Sequence, residues 1–141
     1  MRVLSVDPGD KNIGLALSDP TGTIANPLTV LRHTSRPVDA ASIAQIASEQ
    51  HAEQIIVGQA LDENNLPTLQ GRKAARMAAA IRSQTHLPVE LWDESGSTQA
   101  ARQAVISTGV PRSKRKGHHD ELAAVYILQT YLDAINAGRQ G

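Results

Sequence analysis

Along the 141 residues the hydrophobic and polar positions change period several times. Residues 2–7 form a short apolar run ending in an acid, and 13–18 (Ile-Gly-Leu-Ala-Leu-Ser) form a second. Pro8-Gly9-Asp10-Lys11-Asn12 between them is rich in turn formers, and Asp19-Pro20-Thr21-Gly22 marks the next turn before a third strand at 24–31. Pro27 has no amide hydrogen for a ladder, which assigns that third strand to an edge or a bulge. From 39 to 50, Ala40, Ile43, Ala44, Ile46 and Ala47 recur at helical spacing. Residues 54–58, with Ile-Ile-Val, read as a buried strand, 59–67 as a polar loop and 88–92 as a fifth strand. A helix is expected over 69–85, with Arg72, Lys73, Arg76 and Arg82 around an apolar stripe of Leu69, Ala75, Ala79 and Ile81. Ser97 or Thr98 can cap a further helix to about residue 107. Residues 109–119 form a basic loop bounded by Gly and Pro. The last helix then starts near His119 or Asp120, apolar over much of its circumference, and so packs firmly.

Three strands in a meander, followed by strands joined through helices, predict one α/β domain over 1–141 with a five-stranded mixed sheet flanked by helices. This is the strand order of an RNase H-like domain, and fold order alone names no chemistry. The length suits a single domain of common size. The absence of cysteine excludes disulfides, thiolate zinc, Fe–S clusters and a Cys nucleophile. With no long apolar span and no charged-then-apolar leader, a cytoplasmic protein without a membrane partner is expected. Trp92, Tyr126 and Tyr131 are the only aromatic residues, little material for stacking on bases.

The charges balance, 14 basic against 14 acidic, but unevenly along the chain. Residues 1–70 carry 4 basic and 8 acidic side chains, and residues 71–141 carry 10 and 6. Such asymmetry points toward a phosphate-bearing partner, although chance scatter over a surface is about as good a reading of the count alone.

Three acids fall where elements end: Asp7 closes the first strand, Glu94 follows the fifth and Asp120 opens the final helix. Carboxylates on the ends of rigid elements can converge on hard cations such as Mg²⁺, and paired ions serve phosphodiester hydrolysis. Each acid also has a plain structural reading: a turn acid for Asp7, a loop or first-turn acid for Asp93 and Glu94, a helix cap for Asp120. The Asp7, Gly9, Gly14 spacing further resembles the phosphate-cradling hairpin of kinase- and actin-like ATPases, with Gly9 allowing close backbone approach and Lys11 meeting charge.

Asp7-Pro-Gly-Asp-Lys-Asn-Ile-Gly-Leu-Ala-Leu-Ser-Asp19, Ile55-Ile-Val-Gly58, Asp93-Glu94 and His119-Asp120-Glu-Leu-Ala-Ala124, in that order, resemble the YqgF/RuvX family nearly throughout the chain. These are small bacterial RNase H-like proteins linked to pre-16S rRNA processing and related to RuvC Holliday-junction resolvases. The resemblance implies a metal-dependent endonuclease, with Asp7, Glu94 and Asp120 as catalytic and Mg²⁺- or Mn²⁺-holding acids. Asn12 stands where the family has Arg, Gln59-Ala60 where it has Leu-Pro, and Ser95 where it has Arg. Asn and Ser cannot supply a charged fork, which weakens expected phosphate contacts more than metal binding.

Arg112, Lys114, Arg115 and Lys116 directly precede Asp120 and, with Lys11, are expected to hold a phosphate backbone without reading sequence. A merely solvated loop is the competing reading. His118 and His119 are taken as incidental, and Ser97 and Thr98 as caps rather than nucleophiles. Arg72, Lys73 and Arg76 read better as solvation than as a binding face. The leading expectation is a nuclease acting on structured RNA, by resemblance the 5′ region of the 16S rRNA precursor. Branched DNA is the alternative substrate, a non-catalytic nucleic-acid or ribosome-associated binder the alternative class, and an ATPase the last. Either a monomer or a homodimer is compatible, a dimer suiting junction cleavage.

Overall fold

The computed structural model describes residues 1–93 and the backbone of 119–140, with side chains for 122–138 of the latter. The expected helix ending near 107, and the loop before the last helix, lie outside the described residues. Five strands form one mixed sheet: β1 (Val3–Pro8), β2 (Asn12–Ser18), β3 (Ala25–Arg32), β4 (Gln54–Gln59) and β5 (Val89–Asp93). Their spatial order is β3-β2-β1-β4-β5. The first three pair antiparallel, while β1–β4 and β4–β5 pair parallel. Pro27 lies both on an edge strand and at a bulge. The register passes from Leu15 opposite Thr29 to Ala16 opposite Pro27, leaving Leu28 as the extra residue.

Helices α1 (Arg36–Glu49) and α2 (Leu69–Arg82) cover one face of the sheet, and α3 (His119–Gln140) covers the other. Strand alternation divides the core accordingly. Leu4, Val6, Ile13 and Leu15 pack with Ile43 of α1 and Ile81 of α2, whereas Val3, Ala16 and Ile56 pack with Ile127, Leu128 and Leu132 of α3.

The helices begin and end where local chemistry dictates. α1 starts three residues before the apolar period, because Ser35 accepts the Val38 amide as N-cap and Pro37 is tolerated in the first turn, where its missing N–H costs nothing. α2 is capped by Thr68, which accepts the Gly71 amide at 3.1 Å, and stops at Arg82 rather than at 85. Its buried stripe also differs from the expected one. Gly71, Ala74, Met77, Ala78 and Ile81 face the sheet, while Leu69 is 71% exposed and Ala79 is exposed. The reason is close packing: a Cβ on Gly71 would lie 2.2 Å from the Ala60 carbonyl oxygen. Small residues, Gly71 and Ala74, therefore line the closest part of the contact, and the larger Leu69 is left exposed at the helix start.

Candidate active site

β1 delivers Asp7 to a defined place. Val3, Ser5 and Asp7 share the face toward α3 by the two-residue period of a strand. Ser5, fully buried, donates from Oγ to the Ala124 carbonyl at 2.7 Å and so fixes β1 against α3. Farther along the helix, Gln129 donates to the Thr23 carbonyl at 3.0 Å and accepts the Ala25 amide at 3.0 Å, and Asn136 donates to the Gly22 carbonyl at 3.1 Å. The C-terminal half of α3 therefore lies against the β2–β3 turn, and its N-terminal end points to the opposite end of the sheet, where β1, β4 and β5 finish.

From the Ser5–Ala124 contact, Asp7 lies about 6.6 Å along the strand and backbone position 120 about 6 Å along the helix, in the same direction. The tertiary structure thus brings Asp7 and the start of α3 to one end of one face. At Asp7's level the neighbouring strands contribute glycines. Gly14 is its direct partner on β2, and on β4 the register steps from Val6–Val57 to Gly58, which pairs in turn with Trp92 of β5. Asp7 is half-buried. The Glu94 residue and the Asp120 side chain lie outside the described residues, as do Arg112, Lys114, Arg115 and Lys116. Among the described residues no three His, Asp or Glu side chains converge as a metal site. Asp93 follows Val89 and Leu91 onto the α1/α2 side by alternation, away from Asp7's face.

The β1–β2 hairpin needs a different account from the phosphate-cradle one. The Gly9 amide is already used, donating to the Asn12 carbonyl at 3.0 Å, and a Cβ at Gly9 would lie 2.4 Å from that oxygen. Glycine here closes a tight turn and is not an opening for a ligand. Lys11 and Asn12 are exposed at the tip. Asp10 is held by Lys73 at 2.7 Å and by Gln70 at 3.2 Å, and these bonds, Lys73's foremost, keep its carboxyl below the ordinary range. Lys73 is thus an anchor for the hairpin, beyond the solvating role expected of it.

Trp92 is half-buried, its Nε1 donating to Thr130 Oγ1 at 3.0 Å and its ring edge-on to Tyr131, centroids 5.2 Å apart. Tyr131 is buried and donates to Glu90 at 3.2 Å; desolvation, then the Glu90 charge, raise its pKa. These two rings belong to the α3 interface and offer no platform for bases.

Residues 1–134 match the RuvX family, described as Holliday junction resolvase. The chain belongs to the RuvX family. Relatives of this RuvX member include a "Putative pre-16S rRNA nuclease" of Desulforamulus reducens, 42% identical over 134 residues, covering 95% of this chain and 98% of that one. A protein of the same description from Thermoanaerobacter pseudethanolicus is 41% identical over 135 residues, covering 95% and 97%. Among solved structures, RuvC of T. thermophilus in complex with a Holliday junction substrate superposes with a TM-score of 0.65 at 17% identity, covering 98% of this chain and 96% of that one. The Fowlpox virus resolvase with its junction DNA gives 0.56 at 13% identity, covering 96% and 99%. At such identities the likeness is one of fold, and it establishes the RuvC-like, RNase H-like architecture. No helix among the described residues of this RuvX member is long and apolar enough to cross a membrane.

Proposed function

We propose that this RuvX member is a divalent-metal-dependent endonuclease of structured RNA, with the 5′ region of the 16S rRNA precursor as substrate, by analogy with its relatives' description. The carrying observation is the placement of Asp7 on the α3 face, at the sheet end where α3 begins. There it can meet Asp120 of that helix and Glu94 just after β5. Three carboxylates supply hard oxygen donors of the kind Mg²⁺ and Mn²⁺ take, and glycines at Asp7's level on both neighbouring strands suit the bulk of an ion and a phosphate. When bound, such ions neutralise the phosphate and activate water for in-line displacement.

The chain's own residues hold and orient. Asp7 provides the fixed anchor, because Ser5 and the sheet leave β1 no freedom. Glu94 and Asp120 complete the donor set. Lys11 at the hairpin tip and Arg112, Lys114, Arg115 and Lys116 hold the phosphate backbone. With little aromatic surface to offer, binding rests on charge and shape.

Asp7→Asn is the test. It keeps the side-chain volume and removes the charge, so cleavage of a 5′-extended rRNA mimic should fall more than about 100-fold with an unchanged circular dichroism spectrum. Cleavage at the wild-type rate by a folded variant would refute the site. The family's description as Holliday junction resolvase supports a second reading, branched DNA as substrate. Faster cleavage of a four-way junction than of the RNA mimic, by a dimer in light scattering, would replace the first reading with it.

A further inference from the structure

On the other face of the sheet, beside the hairpin, a cleft of about 410 Å³ opens between the start of α1 and the middle of α2. It is lined by Pro8 and Gly9 of the hairpin, His33 and Arg36 at the entry to α1, and Lys73 and Arg76 of α2. Four cationic or potentially cationic groups from two separate chain segments thus converge on one concavity beside the hairpin. Asp10 is the one acid among the lining residues, already engaged by Lys73 and Gln70, and Asp39 faces His33 from behind. Arg36 and Arg76 form no ion pair among the described residues.

His33 is held by a carboxylate. Its Nδ1 lies 2.5 Å from Asp39 Oδ2, and Asp39, 2% exposed, also accepts the Thr34 amide at 3.1 Å. A buried carboxylate at Nδ1 orients the ring with the proton on that nitrogen, and leaves Nε2 as its remaining polar atom. Arg36 and Arg76 are exposed and have no carboxylate partner among the described residues, so their guanidinium groups are available to an anion.

We infer that this cleft is a phosphodiester-binding groove, in which Arg36 and Arg76 grip the backbone of the nucleic acid whose scissile region lies at Asp7. The inference rests on the nuclease reading and extends it. Pro8, which lines the cleft, directly follows Asp7, while the exposed Lys11 sits at the tip between the two faces. A strand leaving the acidic centre therefore rounds the hairpin past Lys11 and enters the cleft. Arginine suits this role through its fork of donors to phosphate oxygens. Without aromatic residues among its lining groups, the groove grips without regard to sequence.

The test is the salt dependence of binding, followed by fluorescence anisotropy in EDTA with a labelled RNA hairpin bearing a single-stranded 5′ end, and with a labelled four-way DNA junction. Each lost phosphate contact flattens the slope of log K against log salt by about 0.7–0.9. Arg36→Gln/Arg76→Gln should therefore flatten it by about 1.4–1.8 and weaken binding roughly 30-fold at about 0.1 M salt. Arg36→Lys/Arg76→Lys should restore most of the slope. Arg72→Gln, a single charge loss on the same helix outside the cleft and so the match for Arg76→Gln alone, should leave it unchanged. All three cations are exposed, so melting curves should match wild type.

A wild-type slope in the double Gln variant would overturn the proposal, as would an Arg72→Gln effect equal to that of Arg76→Gln alone, or no binding of either nucleic acid. The two readings separate cleanly. Cleft-dependent binding without cleavage keeps the groove and removes the nuclease, whereas cleavage with cleft-independent binding does the reverse.

Discussion

The contact between Ser5 and Ala124 is the sharpest point at which the proposed mechanism can be tested through the fold. Ser5 is fully buried and its Oγ donates at 2.7 Å to a carbonyl of α3, one helical turn from position 120. Ser5→Ala removes that bond. The Ala124 carbonyl keeps its place in the helical ladder, so no acceptor is orphaned, and the lost hydroxyl leaves a void smaller than a water. The cost is then the net value of one buried hydrogen bond, about 1 kcal/mol. For a chain of this length that corresponds to a fall in Tm of about 3–5 °C.

The effect on catalysis should exceed this cost. Releasing β1 from α3 loosens the spacing between Asp7 and the start of the helix, and misplacement of reacting groups by a fraction of an ångström is worth about tenfold in rate. The assay is thermal melting beside steady-state cleavage, with kcat expected to drop about tenfold at nearly constant KM. Ile43→Val, in the core on the opposite face, costs a similar 0.5–1.5 kcal/mol or so and controls for stability, since its kcat should not change. Wild-type kcat in Ser5→Ala, or an equal loss in both variants, would refute the claim that β1–α3 docking sets the site.

Gly71→Ala should destabilise by about 1–3 kcal/mol in urea titration, because the new Cβ must displace the Ala60 carbonyl it would meet at 2.2 Å, outweighing the better helix propensity of Ala; a stabilised variant would show that α2 can shift freely. Asp19 accepts the Thr23 and Ile24 amides at 2.8 and 2.9 Å and the Thr21 hydroxyl, bonds that hold its carboxyl well below the ordinary 3.8, Ile24's contributing most. A depressed folded pKa adds stability that is complete above about pH 4 and lost as pH falls through the folded value, so wild-type Tm should drop more steeply than that of Asp19→Asn between about pH 5 and 2. Parallel curves would reject that account. Trp92→Phe forfeits the bond to Thr130, about 1 kcal/mol, yet should leave RNA affinity within about twofold; a loss of tenfold or more would mean that the indole stacks on bases.

What the sequence determined by itself is what neighbouring residues decide among themselves. Alternation and helical period located all five strands and the three described helices. The missing amide of Pro27 marked β3 as an edge strand or a bulged one, and it is both; ordered motifs from Asp7 to Ala124 identified the family. Local pattern misplaced the start of α1, where Ser35 and Pro37 act as helix entry, and the buried stripe of α2, where hydrophobicity favoured Leu69 over Gly71. That stripe is set by how closely α2 approaches Ala60, a distance no local period encodes. Gly9 likewise looked like an opening for phosphate and proved to be a closed turn.

Tertiary structure alone decided which face each side chain serves. Asp7 lies at the sheet end where α3 begins because strand register and the Ser5–Ala124 bond align two segments more than a hundred residues apart. The cleft of His33, Arg36, Lys73 and Arg76 carries no motif, since its members come from separate elements gathered only when both helices pack on the sheet. Periodicity is a property of adjacent residues and survives in the sequence. Convergence depends on register, crossing and packing between distant elements, and it exists only once the chain has folded.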